Sequence, residues 1–188
     1  MVVFDATMLS LLLREGAKAP LDPATGKSVE YAAIRIAHLV EQLEKSRTIV
    51  IIPTPALTEI LIKAGPAGSA IIARIQKSSV LRIQSFDARA AVELAQMTNA
   101  IGSASDKRAA IEAPWSKIKF DRQIVAIAKV NGATAIYTDD EKLITFAAMH
   151  DIPCVRIADL PIPESARQMG LPLQPKSPDA DNDDNAPT

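Results

Sequence analysis

Five carboxylates in this sequence end or follow apolar runs. Asp5 follows Val2-Val3-Phe4, and Glu59 lies beyond Thr48-Ile49-Val50-Ile51-Ile52. Asp121 opens an Ile/Ala-rich segment, and Asp139-Asp140 follow Ala135-Ile136-Tyr137. Short apolar runs read as buried strands. In open parallel sheets, ligands bind beyond the carboxyl ends of the strands. Asp5, Glu59, Asp139 and Asp140 are therefore expected at or near one edge of one sheet. Asp121 joins them if its helix starts there. A single acid at a helix start is ordinarily a cap. Several together repel, and a divalent cation relieves that repulsion. Carboxylate oxygens without His or Cys select hard ions such as Mg²⁺ or Mn²⁺. Two such ions about 4 Å apart can hold a phosphodiester, activate a water and stabilise the leaving oxygen. No covalent nucleophile is needed, which suits a chain with one cysteine and two histidines.

Elements that could position these acids alternate along the chain. Strands are expected at Met1–Phe4, Thr48–Ile52, Val80–Ile83, Ala135–Tyr137 and Cys154–Ile157. Helices are expected at Ala6–Arg14, Val29–Lys45 with Ser28 as cap, after Thr54 as cap with Pro55 at the first position, and at Ala70–Gln76. Further helices are expected at Ala88–Met97 capped by Asp87, Phe120–Asn131 and Asp140–His150. Residues 16–28 read as a loop, and 99–116 as a loop with a partial helix. This alternation predicts an α/β sandwich on a mainly parallel sheet.

Composition narrows the function. The 188 residues suffice for one domain with a sizeable core. Aromatics are 4%, too few for a base-stacking platform. The single Cys154 excludes an internal disulfide and a Cys-rich zinc site, and is consistent with a reducing, cytoplasmic setting. Neither a signal peptide nor a membrane span is expected. There is no P-loop and no G-x-G-x-x-G after a strand, and Asp5-Ala6-Thr7 lacks the second acid of a D-x-D phosphatase loop. Net charge is −1, but four aspartates lie in the last ten residues; without them 21 basic residues face 18 acidic. Seven of the 13 prolines fall from Pro153 onward. One folded domain over 1–160 is thus expected, with a Pro-rich acidic tail over 161–188 that is disordered. Its aspartates could occupy a basic patch as a mimic of nucleic acid.

Three segments carry a resemblance. They are Val2-Val3-Phe4-Asp5-Ala6-Thr7-Met8-Leu9, Ile52-Pro53-Thr54-Pro55-Ala56-Leu57-Thr58-Glu59-Ile60, and Phe120-Asp121-Arg122-Gln123-Ile124-Val125-Ala126-Ile127-Ala128 continuing to Gly132-Ala133-Thr134 and Tyr137-Thr138-Asp139-Asp140. In order and spacing they resemble the PIN-domain family of metal-dependent ribonucleases, which includes VapC-type toxins. The resemblance spans about 1–159. It implies a three-layer α/β/α sandwich with a mainly parallel sheet, Mg²⁺ or Mn²⁺, and cleavage of single-stranded RNA. It also implies frequent homodimers and, for toxins, an inhibitory antitoxin partner. By the family pattern Asp5, Glu59, Asp121 and Asp140 are the catalytic, metal-holding acids. Asp139 stands where the family is often not acidic, and either member of the pair could reach the metal. Thr138 would hydrogen-bond within the site. Segments 16–28 and 99–118 and the tail exceed those of a small toxin.

Lys107, Arg108, Lys117, Lys119 and Arg122 precede or flank Asp121, and Lys119 and Arg122 are the expected contacts to an RNA backbone, whose phosphates need opposing charge. Trp115 could stack on a base or pack on the domain. Cys154 is expected to be a small buried hydrophobe, and His150 to sit favourably at a helix end. A competing reading is a non-catalytic PIN-like module that binds RNA or protein. A metal-dependent phosphatase is a third.

Overall fold

In a computed structural model of the chain, which describes residues 1–100 and 115–169 (side chains at 115–119, 165, 168 and 169 excepted), three strands of three or four residues and two two-residue strands form one sheet. The strands are β1 (Val2–Phe4), β2 (Val50–Pro53), β3 (Leu81–Gln84), β4 (Ile136–Tyr137) and β5 (Cys154–Val155). Their order is β3-β2-β1-β4-β5, and every neighbouring pair is parallel. Val3 pairs with both Ile51 and Ile136, so β1 is central. A strand paired on both sides and covered on both faces must be apolar throughout; Val3 and Phe4 are fully buried.

Helices α1 (Ala6–Leu13), α2 (Ala32–Lys45), α3 (Thr54–Ala64) and α4 (Gly68–Lys77) connect the first three strands. Helices α5 (Ala88–Ala100) and α6 (Trp115–Val130) lead back to β4, and α7 (Glu141–Ala148) leads to β5. α1 packs on α2 and α3, while α6 packs on α5, α7 and α3. This is the expected α/β/α sandwich. The chain runs outward from β1 through β2 to β3, then returns to β4 on the other side. The strand order therefore reverses between β1 and β4, and the crevice at such a switch point is where doubly wound folds bind ligands.

Boundaries differ from expectation where a local bond outweighs pattern. α2 begins at Ala32, three residues late, because Tyr31 takes a left-handed conformation (φ 56°). Thr54 does not cap α3; its hydroxyl accepts from the Phe86 amide, tying α3 to the segment after β3. α6 begins at Trp115 rather than Phe120. Nothing between Pro114 and Asp121 breaks a helix, so it extends upstream, and Asp121 lies in its second turn instead of opening it. The helix ends as expected, in a Schellman arrangement: Ala133 N–H bonds Ala128 O, and Gly132 N–H bonds Lys129 O, with Gly132 at φ 62°. Asp87 caps α5 through the Ala90 amide.

The stretch Thr54–Lys77 is, by length and composition, apolar enough to cross a bilayer. Here it is interrupted by a 3₁₀ turn at Gly65–Ala67, and it contributes Ala56, Leu57, Ile60, Ile71 and Ile75 to the core. The chain continues past 161 as a short helix, α8 (Glu164–Met169), with Ala166 buried. The acidic residues 179–188 lie outside the described residues.

Candidate active site

Asp5 is the first residue after β1, and its amide continues the ladder to Tyr137 O (3.2 Å). Its extended backbone lets the side chain turn back over α1, where Oδ1 accepts from the Met8 amide at 2.8 Å. That is an ordinary N-cap. The other oxygen is not accounted for by capping. Oδ2 accepts from the Thr138 hydroxyl at 2.6 Å, across the β1–β4 junction. Asp5 is 4% exposed, and burial pushes its carboxyl from 3.8 up to about 7 despite these bonds. The charge of Asp139 adds to that rise. An acid held at such a value is costly to a fold, and shifts of this kind cluster where a structure is built to bind or react.

Thr138 is fully buried and bonds in two directions. It donates to Asp5, and its oxygen accepts the Asp140 amide (3.1 Å). One hydroxyl thus sets the positions of the acids ending β1 and β4. Asp140 in turn caps α7, with Oδ1 accepting from the Lys142 and Leu143 amides. Asp139 is half-buried and faces the turn after β5, where the Ile157 amide donates to both carboxylate oxygens at 3.4 and 3.5 Å. Burial raises its carboxyl; the Ile157 amide and the charge of Arg156 oppose that rise. Arg156 also reaches Glu141 Oε1 at 2.7 Å.

The remaining acids stand differently. Asp121 is half-buried with Oδ2 shielded from solvent. From Val130 back to Asp121 the helix rises about 13 Å, about the distance β1 covers from Met1 to Asp5. The link from Thr134 N–H to Met1 O brings the C-terminal end of α6 near the start of β1, so Asp121 and Asp5 belong to the same end of the sheet. Glu59 is exposed on α3 and pairs with Lys63, one turn on, at 2.6 Å. Arg122, an expected RNA contact, is instead buried, its guanidinium 5.0 Å from the Phe146 ring centroid, a packing position on α7. The side chains of Lys119, Lys117 and Trp115, and all of Lys107 and Arg108, lie outside the described residues. Cys154 is half-buried, and burial lifts its thiol to about 11. His150 stacks edge-on against Phe146.

Among the described residues, no three His, Cys, Asp or Glu side chains lie close enough together to form a metal cluster. The donors at the switch point are nevertheless all carboxylate oxygens, and the charge of Asp139 opposes ionisation of Asp5. Mg²⁺ is commonly held by one or two carboxylates and several waters. The Asp5–Asp139 pair fits such an ion in donor chemistry, with Asp140 beside it through Thr138. Sequence reading did not find the Arg156–Leu160 turn that contacts Asp139. Its contribution is a backbone amide, which carries no residue signature.

No family model and no curated protein sequence matches this chain. Solved structures do. One is the structure of VapBC2 from Rickettsia felis bound to a DNA fragment from their promoter: TM-score 0.56 and 12% identity, covering 83% of this chain and 98% of that one. Another is VapC20 of Mycobacterium tuberculosis, described as a Sarcin-Ricin loop cleaving toxin: TM-score 0.44 and 18% identity, covering 77% and 94%. Identities this low speak for architecture. With its five parallel strands and its acids at the β1–β4 reversal, the chain has the fold of a PIN/VapC-type domain.

Proposed function

We propose that the chain is a metal-dependent endoribonuclease acting on single-stranded RNA. The observation that carries this reading is the buried Asp5 carboxylate at the topological switch point, bonded to Thr138 and opposed by Asp139. In this reading Asp5 and Asp139 hold Mg²⁺ or Mn²⁺, with Asp140 and Asp121 completing the site. A bound divalent ion supplies a water of lowered pKa and charge stabilisation for the phosphodiester. The chain's own part is positional. Thr138 orients Asp5 and the β4 acids together, and the sheet and α1 exclude water from Asp5. Loss of a proton from Asp5 converts it from a neutral group into an ion ligand. Glu59 takes part only by leaving Lys63. A toxin role, with an antitoxin partner and a homodimer, extends the same reading and follows from the family resemblance of the sequence.

Purified protein incubated with a mixed pool of single-stranded and structured RNAs tests this. Cleavage is expected with Mn²⁺ or Mg²⁺, and is expected to vanish in EDTA and in folded Asp5→Asn and Asp121→Asn variants. Full cleavage by folded Asp5→Asn overturns it. A second reading has two observations in its favour: Glu59 is turned to solvent, and no cluster of three His, Cys, Asp or Glu forms among the described residues. A non-catalytic RNA- or protein-binding module would bind a partner yet show neither Mn²⁺ binding nor cleavage.

A further inference from the structure

Arg35 on α2 makes an unusual set of bonds for a cation. Its guanidinium meets backbone carbonyls. Nε donates to Glu30 O at 3.0 Å, and Nη1 donates to Ala158 O at 2.8 Å and Leu160 O at 2.5 Å, with Ile157 O at 3.5 Å. The three carbonyls that Nη1 meets belong to a tight turn: Asp159 N–H bonds Arg156 O, and Leu160 N–H bonds Ile157 O. The turn thus presents carbonyls to Arg35. From its first half, the amide of fully buried Ile157 points at both oxygens of Asp139. Arg35 and Asp139 never touch, yet both hold the same turn: Arg35 through the carbonyls of Ile157, Ala158 and Leu160, Asp139 through the Ile157 amide. A guanidinium suits this task because it is planar, always charged and offers a fork of donors; an ammonium is a single point.

We propose that Arg35 is a positioning residue for the site: it fixes the Arg156–Leu160 turn so that the Ile157 amide orients the Asp139 carboxylate at the end of β4. This rests on the metal-binding reading above and adds to it a residue remote in sequence, on an element that carries none of the acids. Groups that orient a metal's ligands typically matter tenfold or more in affinity.

The test compares wild type, Arg35→Lys, Asp139→Asn, the Arg35→Lys/Asp139→Asn double variant and Asp5→Asn as full-length chains. Two readouts are taken: hydrogen exchange at the Ile157 amide without metal, and Mn²⁺ affinity by titration calorimetry. Arg35→Lys is expected to speed Ile157 exchange and to weaken Mn²⁺ binding about tenfold. In the Asp139→Asn background the same change is expected to cost nothing further in affinity, because its route is gone. Where Arg35→Lys folds poorly, Arg35→Gln serves, since its neutral amide reaches fewer carbonyls. Unchanged Ile157 exchange overturns the proposal. So does an affinity loss that persists undiminished in the Asp139→Asn background, which marks a general structural role. Normal Mn²⁺ binding by Asp139→Asn but not by Asp5→Asn overturns it while leaving the nuclease reading intact. No Mn²⁺ binding by wild type removes the nuclease reading and this proposal together.

Discussion

Two regions of this molecule carry acids picked out by the same sequence logic, and the fold treats them in opposite ways. At the β1–β4 junction Asp5 is buried, each of its oxygens is engaged, and Asp139 opposes its charge. On the outer face of α3, Glu59 is half exposed and bound to Lys63. Motif order treats the two as equals. Burial makes them unequal, because a charge inside the protein is coupled to its neighbours while one in water is screened. The junction is where a cation, a proton or a substitution has large consequences. On α3 the same changes are met by solvent.

The sharpest comparison substitutes one acid in each region. Asn is as good an N-cap as Asp, so Asp5→Asn keeps the bond to Met8 and is expected to fold. It loses the charge, and metal-dependent cleavage is expected to fall about a thousandfold or more, the several kcal/mol of charge stabilisation a bound ion supplies. Glu59→Gln is expected to cost less than about tenfold, one step of 1.4 kcal/mol. Rates on a defined RNA with saturating Mn²⁺ measure both. Equal losses would break the contrast and require Glu59 to swing from Lys63 into the site.

The pH response should come from one region only. Asp5 titrates at about 7 in the folded chain against 3.8 without the fold. Between these values the folded chain holds a proton that the unfolded chain has released. Metal-free stability therefore declines as pH rises through this window, by roughly 2–3 kcal/mol from pH 5 to 7. Mn²⁺ displaces the same proton, so affinity should climb with pH and level off above about 7. Denaturant midpoints across pH, for wild type and Asp5→Asn, check the first point. The variant should lose most of the slope, whereas Glu59→Gln should keep it.

The contrast also explains what the sequence could and could not say. Strand positions and the β4 acids were legible because apolar runs followed by Asp leave a local mark. The strand order that makes β1 and β4 neighbours is not local, so convergence of Asp5 and Thr138 across 133 positions came only from resemblance, not from periodicity. Asp121 was assigned to a helix start because Phe120-Asp121 looks like one, yet the helix reaches back to Trp115. Arg122 reads as a surface cation from its neighbours but lies under α7 against Phe146. Its fate is decided by which helix packs there. Glu59 sits in the expected turn of the expected helix, and Lys63 four residues later stands at ion-pair spacing, a local signal that motif order alone overlooks.

Thr138→Val tests the junction without touching a charge. It keeps the shape and removes the donor to Asp5 and the acceptor for the Asp140 amide. Stability is expected to drop by about 1–3 kcal/mol, the cost of leaving buried polar groups without their partner. The Thr138 bond also lowers the Asp5 carboxyl, so the upper limb of the pH response should move to higher pH. A Thr138→Ser variant restores the hydroxyl and should recover most of both effects. Loss of stability with no movement of the pH limb would reduce Thr138 to packing.

The smallest effect belongs to α3, and it decides which region Glu59 serves. The Glu59–Lys63 pair has both side chains about half exposed. Exposed pairs of this kind contribute less than about 1 kcal/mol, so Lys63→Met should barely shift the unfolding midpoint, and added salt should remove what difference there is. Mn²⁺ affinity gives the more telling reading. If Lys63 merely decorates the surface, the variant binds Mn²⁺ as wild type does. A two- to threefold gain, about 0.4–0.7 kcal/mol, would mean that Lys63 competes with the ion for Glu59. The exposed acid would then belong to the junction's chemistry after all, held from it by a bond weak enough for a cation to displace.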